Sequence, residues 1–150
     1  MNTNSPDSSI VIKTEIVCPN DANPMGILQG GKLVQWMDIA AAVCAQTHSK
    51  SICVTASINE ISFKNSAKVG DIVTLKAKIT RVFNTSMEIK VEAFTKSITA
   101  NKPLLISSSF FIFVAIDEQK LPKKINPIIP KTKTEMDDFK SALKRKNKKK

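Results

Sequence analysis

Between residues 33 and 45 the apolar positions recur with a helical period. Leu33, Trp36, Met37, Ala40 and Cys44 stand at i, i+3, i+4, i+7 and i+11, which places them on one face. Val34, Ile39, Ala41, Val43 and Ala45 fill most of the remaining positions, so the spacing predicts a long helix that protein surrounds. Elsewhere the period is two. Residues 10–17 predict a first strand with Ile10, Ile12 and Ile16 on one face. Ile52, Val54, Ala56 and Ile58 alternate with Cys53, Thr55, Ser57 and Asn59 as in a half-buried strand. Val73, Leu75, Ala77 and Ile79, then Met87, Ile89, Val91 and Ala93, alternate with Thr, Lys and Glu. Residues 104–116 are apolar over a long run with Phe110, Phe111 and Phe113, which predicts a central strand buried on both faces. Met136, Phe139 and Leu143 are spaced for a final short helix at one edge.

The order is strand, long helix, four strands, terminal helix. That is an α+β class chain: an antiparallel sheet of about five strands wrapped around one long central helix, plus a short C-terminal helix. CPNDANPMG, Val69-Gly70-Asp71 and LPKKINPIIP read as loops, and RVFNTS as a hairpin that Asn84 turns with positive φ. The expected division is a single domain over 1–130 and a C-terminal helix with a basic tail over 131–150. A sheet covers only one side of such a helix. The Ala-rich face and the free sheet edges call for a second copy of the chain.

Length and composition change the picture little. A chain of 150 residues suits one domain with a real core, and 42% hydrophobic with 24% charged residues is ordinary for a globular protein. No apolar run approaches the roughly 18–20 residues that span a membrane. MNTNSPDSS has neither a basic nor an apolar leader region, which points to a cytoplasmic protein. Cys18, Cys44 and Cys53 are odd in number and lack metal-site spacing, as expected of reduced thiols. The net charge of +10 is concentrated: residues 140–150 hold seven basic groups and no acidic one, leaving +3 for the rest. Such a run reads first as a solvated, partly frayed tail. No aromatic is interleaved with it, so specific nucleic-acid binding is not indicated.

The chemistry concentrates in residues 23–48. Gly30 and Gly31 stand where the helix starts, so a ligand can approach the unpaired N–H groups of its first turn, which suit a developing oxyanion. Asp38 lies near the middle of an otherwise apolar helix. It fits a carboxylate at a subunit contact or on a wet stripe with Lys32, Gln35 and Gln46, and it fits a general base or nucleophile. Cys44 and His48 are four apart and could meet, but a thiol on an apolar face is usually packing. No G-x-S-x-G surrounds Ser86, and GILQGGK lacks phosphate-loop spacing.

NPMGILQGGKLVQWMD, VTASINEISF, KVGD and NTSM, in this order across about residues 10–120, resemble the hotdog-fold acyl-CoA thioesterases of the broad-range acyl-CoA hydrolase branch. The resemblance implies a hotdog fold and hydrolysis of acyl-CoA to free acid and CoA. It implies no metal and no organic cofactor, CoA being part of substrate and product. A homodimer is the implied working unit, often in a trimer of dimers. By the same resemblance Asn23 and Asp38 are the catalytic pair, contributed by opposite subunits. Gly30 and Gly31 lie beside the thioester carbonyl, and Arg81, Asn84, Thr85 and Ser86 form the hairpin near bound CoA. The chain departs from the family pattern at Ser66, where many members carry Pro, and at Phe83-Asn84, where many carry Gly. A non-catalytic acyl-CoA-binding protein on the same scaffold is the alternative.

Overall fold

The computed structural model describes residues 4–148. Strand β1 (Val11–Ile16) precedes the long helix α1 (Gly30–Ser49). Strands β2 (Ile52–Ile58), β3 (Ile72–Val82), β4 (Ser86–Lys96) and β5 (Leu104–Ile116) come next, and helix α2 (Lys133–Lys148) ends the described chain. The five strands form one antiparallel sheet in the order β1-β3-β4-β5-β2. The sheet curls around α1, as the resemblance implies. The central strand is β4. Strand β5 lies between β4 and the edge strand β2, and its outward residues Phe110, Ile112 and Val114 stay half-buried.

The helical period selects the correct face of α1. Leu33, Trp36, Met37, Ala40, Ala41, Cys44 and Ala45 are all buried. They meet the inward rows Val73–Leu75–Ala77–Ile79 of β3, Met87–Ile89–Val91–Ala93 of β4 and Phe111–Phe113–Ala115 of β5, which are buried too. Each fully buried Leu, Ile, Met or Phe contributes about 1.5–3 kcal/mol, and the alanines let the helix lie close on the sheet. The outer side of α1 is less enclosed than expected: Ile39 and Val43 are exposed.

Both edge strands turn the opposite way from their apolar pattern. On β1, Ile12 and Ile16 face away from α1, while Val11 packs on the core and Lys13, on the same inward row, lies over the Trp36 ring. On β2, Cys53 points to the core and Ile52 and Val54 are exposed. A bulge between Thr55 and Ser57 then shifts the register, so Thr55 faces Phe113 and Ser57 faces Ile112. A bulge adds one residue to one strand and re-aims the side chains beyond it. Edge strands bury apolar side chains only when something covers them, and among the described residues nothing covers these.

Up to Lys148 the basic C-terminal segment is not a frayed tail, and residues 149 and 150 lie outside the described residues. Residues 133–148 are helical, and α2 lies on the outer face of the sheet. Its start is a capping box: Thr132 Oγ1 accepts the Glu135 N–H at 3.1 Å and Glu135 Oε1 accepts the Thr132 N–H at 3.1 Å. The stripe expected to pack, Met136 and Leu143, is exposed, while Glu135 and Ala142 are buried and Phe139 is half-buried. Two arginines hold the helix to the sheet. Arg145 makes a two-pronged contact with the buried Glu88 of β4, at 2.9 and 2.7 Å, and stacks on Phe110. Arg81 of β3 lies 3.8 Å from the Phe139 ring centroid and donates to the Phe139 carbonyl at 3.1 Å.

Candidate functional site

The loop before α1 is built around Asn23. Its Oδ1 accepts the N–H groups of Met25 at 2.9 Å and Ile27 at 3.2 Å. Its own N–H reaches the Ile27 carbonyl, and Gly26 closes the turn at φ 76°, a conformation that favours glycine. With the side-chain oxygen committed to two donors, the amide nitrogen of Asn23 is the end that can act on something else. Asp21 fixes the neighbouring turn by accepting the Cys18 N–H and pairing with Lys32.

Helix α1 begins at Gly30 with no side chain capping it. The N–H groups of Gly30, Gly31 and Lys32 have no acceptor within the helix. The two glycines do different work. A Cβ on Gly30 would meet Phe63 Cζ at 3.1 Å, so glycine there admits the ring. A Cβ on Gly31 would meet nothing within 4 Å, and that side of the turn is open to a ligand.

Asp38 is two turns further on and half-buried. Thr55 Oγ1 on β2 donates to Asp38 Oδ1 at 2.8 Å. This hydrogen bond fixes the carboxylate and leaves Oδ2 without a partner among the described residues. Sequence alone assigns Thr55 no role; the only signal is its place in the Val54-Thr55 pair of the resemblance. Asn23 and Asp38 make no hydrogen bond to each other within the chain.

The hairpin residues lie elsewhere, at the β3–β4 connection. Phe83 N–H bonds the Ser86 carbonyl at 2.8 Å, and the carbonyls of Asn84 and Thr85 accept the N–H groups of Ile125 and Ala115. Asn84 does not adopt the positive φ expected of it; Lys50 and Lys120 are the described non-glycine residues that do. A bulge between Ile79 and Arg81 turns Arg81 to the outer face. There its guanidinium is engaged with Phe139, and burial lowers its pKa from the usual value, with the charge retained. Asn84, Thr85 and Ser86 stay near the surface.

Cys44 and His48 do not form a nucleophile pair. Cys44 Sγ donates to the Ser9 carbonyl at 3.2 Å, and the His48 ring faces the Asn126 carbonyl and the Asn4 side chain. Burial pushes the Cys44 thiol up to about 12. The three cysteines are free thiols, and Cys18 is the exposed one. A disulfide reagent at pH 8 is expected to modify Cys18 within seconds and Cys44 only on unfolding, as peptide mapping of the labelled protein would read.

Residues 25–100 match the Thioesterase superfamily. The chain belongs to that superfamily. This thioesterase-superfamily chain is 32% identical over 142 residues to an uncharacterised acyl-CoA thioester hydrolase of Bacillus subtilis, covering 95% of this chain and 83% of that protein. It spans about a quarter of the mammalian acetyl-coenzyme A thioesterases it matches, 24% of the rat protein at 36% identity over 137 residues, or 90% of this chain. Among solved structures, a hexameric acyl-CoA thioesterase superposes with a TM-score of 0.93 at 34% identity, over 99% of this chain and 95% of that one. An acyl-CoA hydrolase from Staphylococcus aureus, solved with butyryl coenzyme A, coenzyme A and coenzyme A disulfide, superposes at 0.90 with 29% identity, over 99% and 90%. The same hydrolase is known with an aspartate, a threonine or an asparagine replaced by alanine. The superfamily's hotdog fold is thus the fold of this chain.

Proposed function

We propose that this protein hydrolyses acyl-CoA thioesters to the free carboxylic acid and CoA. The observation that carries the reading is the Asp38 carboxylate, held at 2.8 Å by Thr55 on an otherwise apolar helix whose bare N-terminal turn lies further up the same element. The Staphylococcus hydrolase supports it. Its substituted asparagine and aspartate are fifteen residues apart and its aspartate and threonine seventeen, the separations of Asn23, Asp38 and Thr55 here.

The chemistry asks for two things: an oxygen nucleophile and somewhere for the carbonyl charge to go. Asp38 supplies the first, either by taking a proton from water as that water attacks the carbonyl carbon or by attacking it directly. The N–H groups at Gly30 and Gly31 supply the second, donating to the oxyanion of the tetrahedral intermediate, while the Asn23 amide nitrogen positions the water or the substrate. Collapse of that intermediate breaks the carbon–sulfur bond. When water attacks, this gives the free acid directly. When Asp38 attacks, it gives an acyl anhydride on Asp38, which a water then cleaves to the free acid and the restored carboxylate. CoA leaves as a thiolate, which needs little acid help. No metal or organic cofactor takes part in this scheme.

Asn23 reaches Asp38 from a partner subunit in this reading. The exposed Ile39 and Val43 of α1 and the exposed Ile52, Val54 and Ile58 of the edge strand β2 form the apolar surface such a partner would cover. A trimer of such dimers, in the cytoplasm, is the proposed assembly; one neighbour is hexameric. The hairpin residues Asn84, Thr85 and Ser86 contact CoA, with Arg81 shaping the hairpin from its place against α2.

Thiol release from acetyl- to palmitoyl-CoA tests the activity; tight binding of these ligands with no thiol released would make this a binding protein instead. The shared site has its own test. Co-refolding Asn23→Ala subunits with Asp38→Ala subunits is expected to restore turnover that neither variant has alone, because one intact site forms per mixed dimer. A mixture as inactive as its components would place both residues in one chain.

A further inference from the structure

Helix α2 has two faces, and its cations divide between them. Toward the sheet, Arg145 grips Glu88 and Phe110, and the Lys146 ammonium lies 4.0 Å from the Phe83 ring centroid. On the outward side Lys133, Lys140, Lys144 and Lys148 are exposed. They recur at i, i+7, i+11 and i+15, which makes one stripe of a helix. None of the four makes an ion pair among the described residues. Asp137 is the one exposed acid of the helix. Beside the stripe stand Met136 and Leu143, two turns apart and each 40% exposed. The face is preformed. The Thr132–Glu135 capping box and the Arg145–Glu88 contact hold the helix on the sheet, so a partner meets the stripe without the entropy cost of ordering a free segment.

We propose that this face of α2 docks the protein on an anionic lipid surface, with the four lysines among the head groups and Met136 and Leu143 dipping beneath them. Charge sets the sign of the partner: the stripe is basic, and two copies of this chain presenting it to each other would repel. The apolar pair selects lipid over nucleic acid. A phosphate backbone would neutralise the lysines and give Met136 and Leu143 nothing to bury against. Base stacking is not on offer, since Phe139 is half-buried under Arg81. A bilayer answers both features, with phosphates at the level of the ammonium groups and acyl chains just below. No described helix is long and apolar enough to cross a membrane, so the contact lies at the surface. Each lysine near such a surface tightens binding about fivefold. The inference is independent of the hydrolase reading, because no residue of the stripe belongs to the site around Asn23 and Asp38.

Co-sedimentation of the full chain with vesicles reads the contact. At about 0.1 M salt, phosphatidylcholine vesicles carrying about one-third phosphatidylserine are expected to bind roughly a hundredfold tighter than phosphatidylcholine alone. Most of that difference is expected to vanish at about 1 M salt. Lys140→Gln with Lys144→Gln weakens binding to the anionic vesicles about 25-fold. Met136→Ser with Leu143→Ser weakens it roughly tenfold, and Met136→Leu with Leu143→Met leaves it unchanged. All are exposed positions, so the thermal midpoint holds in each variant. Equal binding to both kinds of vesicle, or anionic binding that survives the lysine exchange, would overturn the assignment. So would tighter binding to a nucleic-acid duplex that ignores the two serines, which makes the partner nucleic acid. Self-association lost in the lysine variant, with no vesicle binding in the wild type, would make it a second copy of the chain. Thiol release from acyl-CoA without vesicles is expected to be the same in all three variants, so docking and hydrolysis stand or fall separately.

Discussion

Asp38→Ala and Asp38→Asn lower kcat for acyl-CoA hydrolysis by about 10³-fold, with KM changed far less and the thermal midpoint almost unmoved. The size stems from the role. A positioned general base is worth typically about 10²–10⁴ in rate, and nothing else among the described residues stands on Asp38 Oδ2 to replace it. The small effect on folding stems from the environment: the side chain is half-buried, and its one hydrogen bond among the described residues is to the exposed Thr55. Thr55 gives the control that separates orientation from chemistry. Thr55→Val removes a hydrogen bond to a charged group, worth about 1.5–3 kcal/mol, so turnover falls by about 10–100-fold. Thr55→Ser keeps the hydroxyl and most of the rate. The measurement is steady-state thiol release alongside circular dichroism melting. Near-wild-type turnover in Asp38→Asn would remove Asp38 from the chemistry.

The inner surface of the fold is legible in the sequence because its cause is local. Burial of one helix face imposes a period of 3.6, and burial of one sheet face a period of two, and residues 33–45, 73–79 and 87–93 obey these without interruption. The edge strands mislead for the same reason. Their strongest apolar rows, Ile12–Ile16 and Ile52–Val54, are exposed in one chain, so the pattern there does not mark the core of the chain. The bulge after Thr55 leaves no mark in the alternation at all, since it shows only against Phe113 and Ile112 on the neighbouring strand. At the site, glycines at a helix start and a carboxylate on an apolar helix are visible in the sequence. The Thr55 hydroxyl cannot be assigned by spacing, because seventeen residues and a turn separate it from Asp38.

The same limit explains why the basic terminus reads as solvated. Seven positive charges in eleven residues look like a tail, and the partner of Arg145 lies 57 positions away. Glu88 itself looks like one more polar residue alternating along β4. It is buried, and its carboxylate is satisfied by Thr80 Oγ1 at 2.6 Å and by both prongs of Arg145.

Arg145→Ala is therefore expected to cost more stability than any other single change in α2, about 3 kcal/mol in urea unfolding. The loss is not chiefly the attraction between the charges. Removing the guanidinium leaves the Glu88 carboxylate in a site shielded from water, with one hydroxyl for company, and an uncompensated buried charge costs about 3–5 kcal/mol. The lower end applies because the Arg145 side chain is itself a quarter exposed, so water can reach into the gap. Losing the stack on Phe110 adds to the cost. The double variant Glu88→Met with Arg145→Met decides between these causes. It removes both charges and keeps apolar volume against Phe110, so it is expected to recover most of the lost stability. If it is as unstable as Arg145→Ala, the ion pair itself, not the orphaned carboxylate, holds α2 on the sheet. Activity adds a second reading: because α2 lies on the outer face of the sheet, opposite α1, the double variant is expected to retain the wild-type kcat.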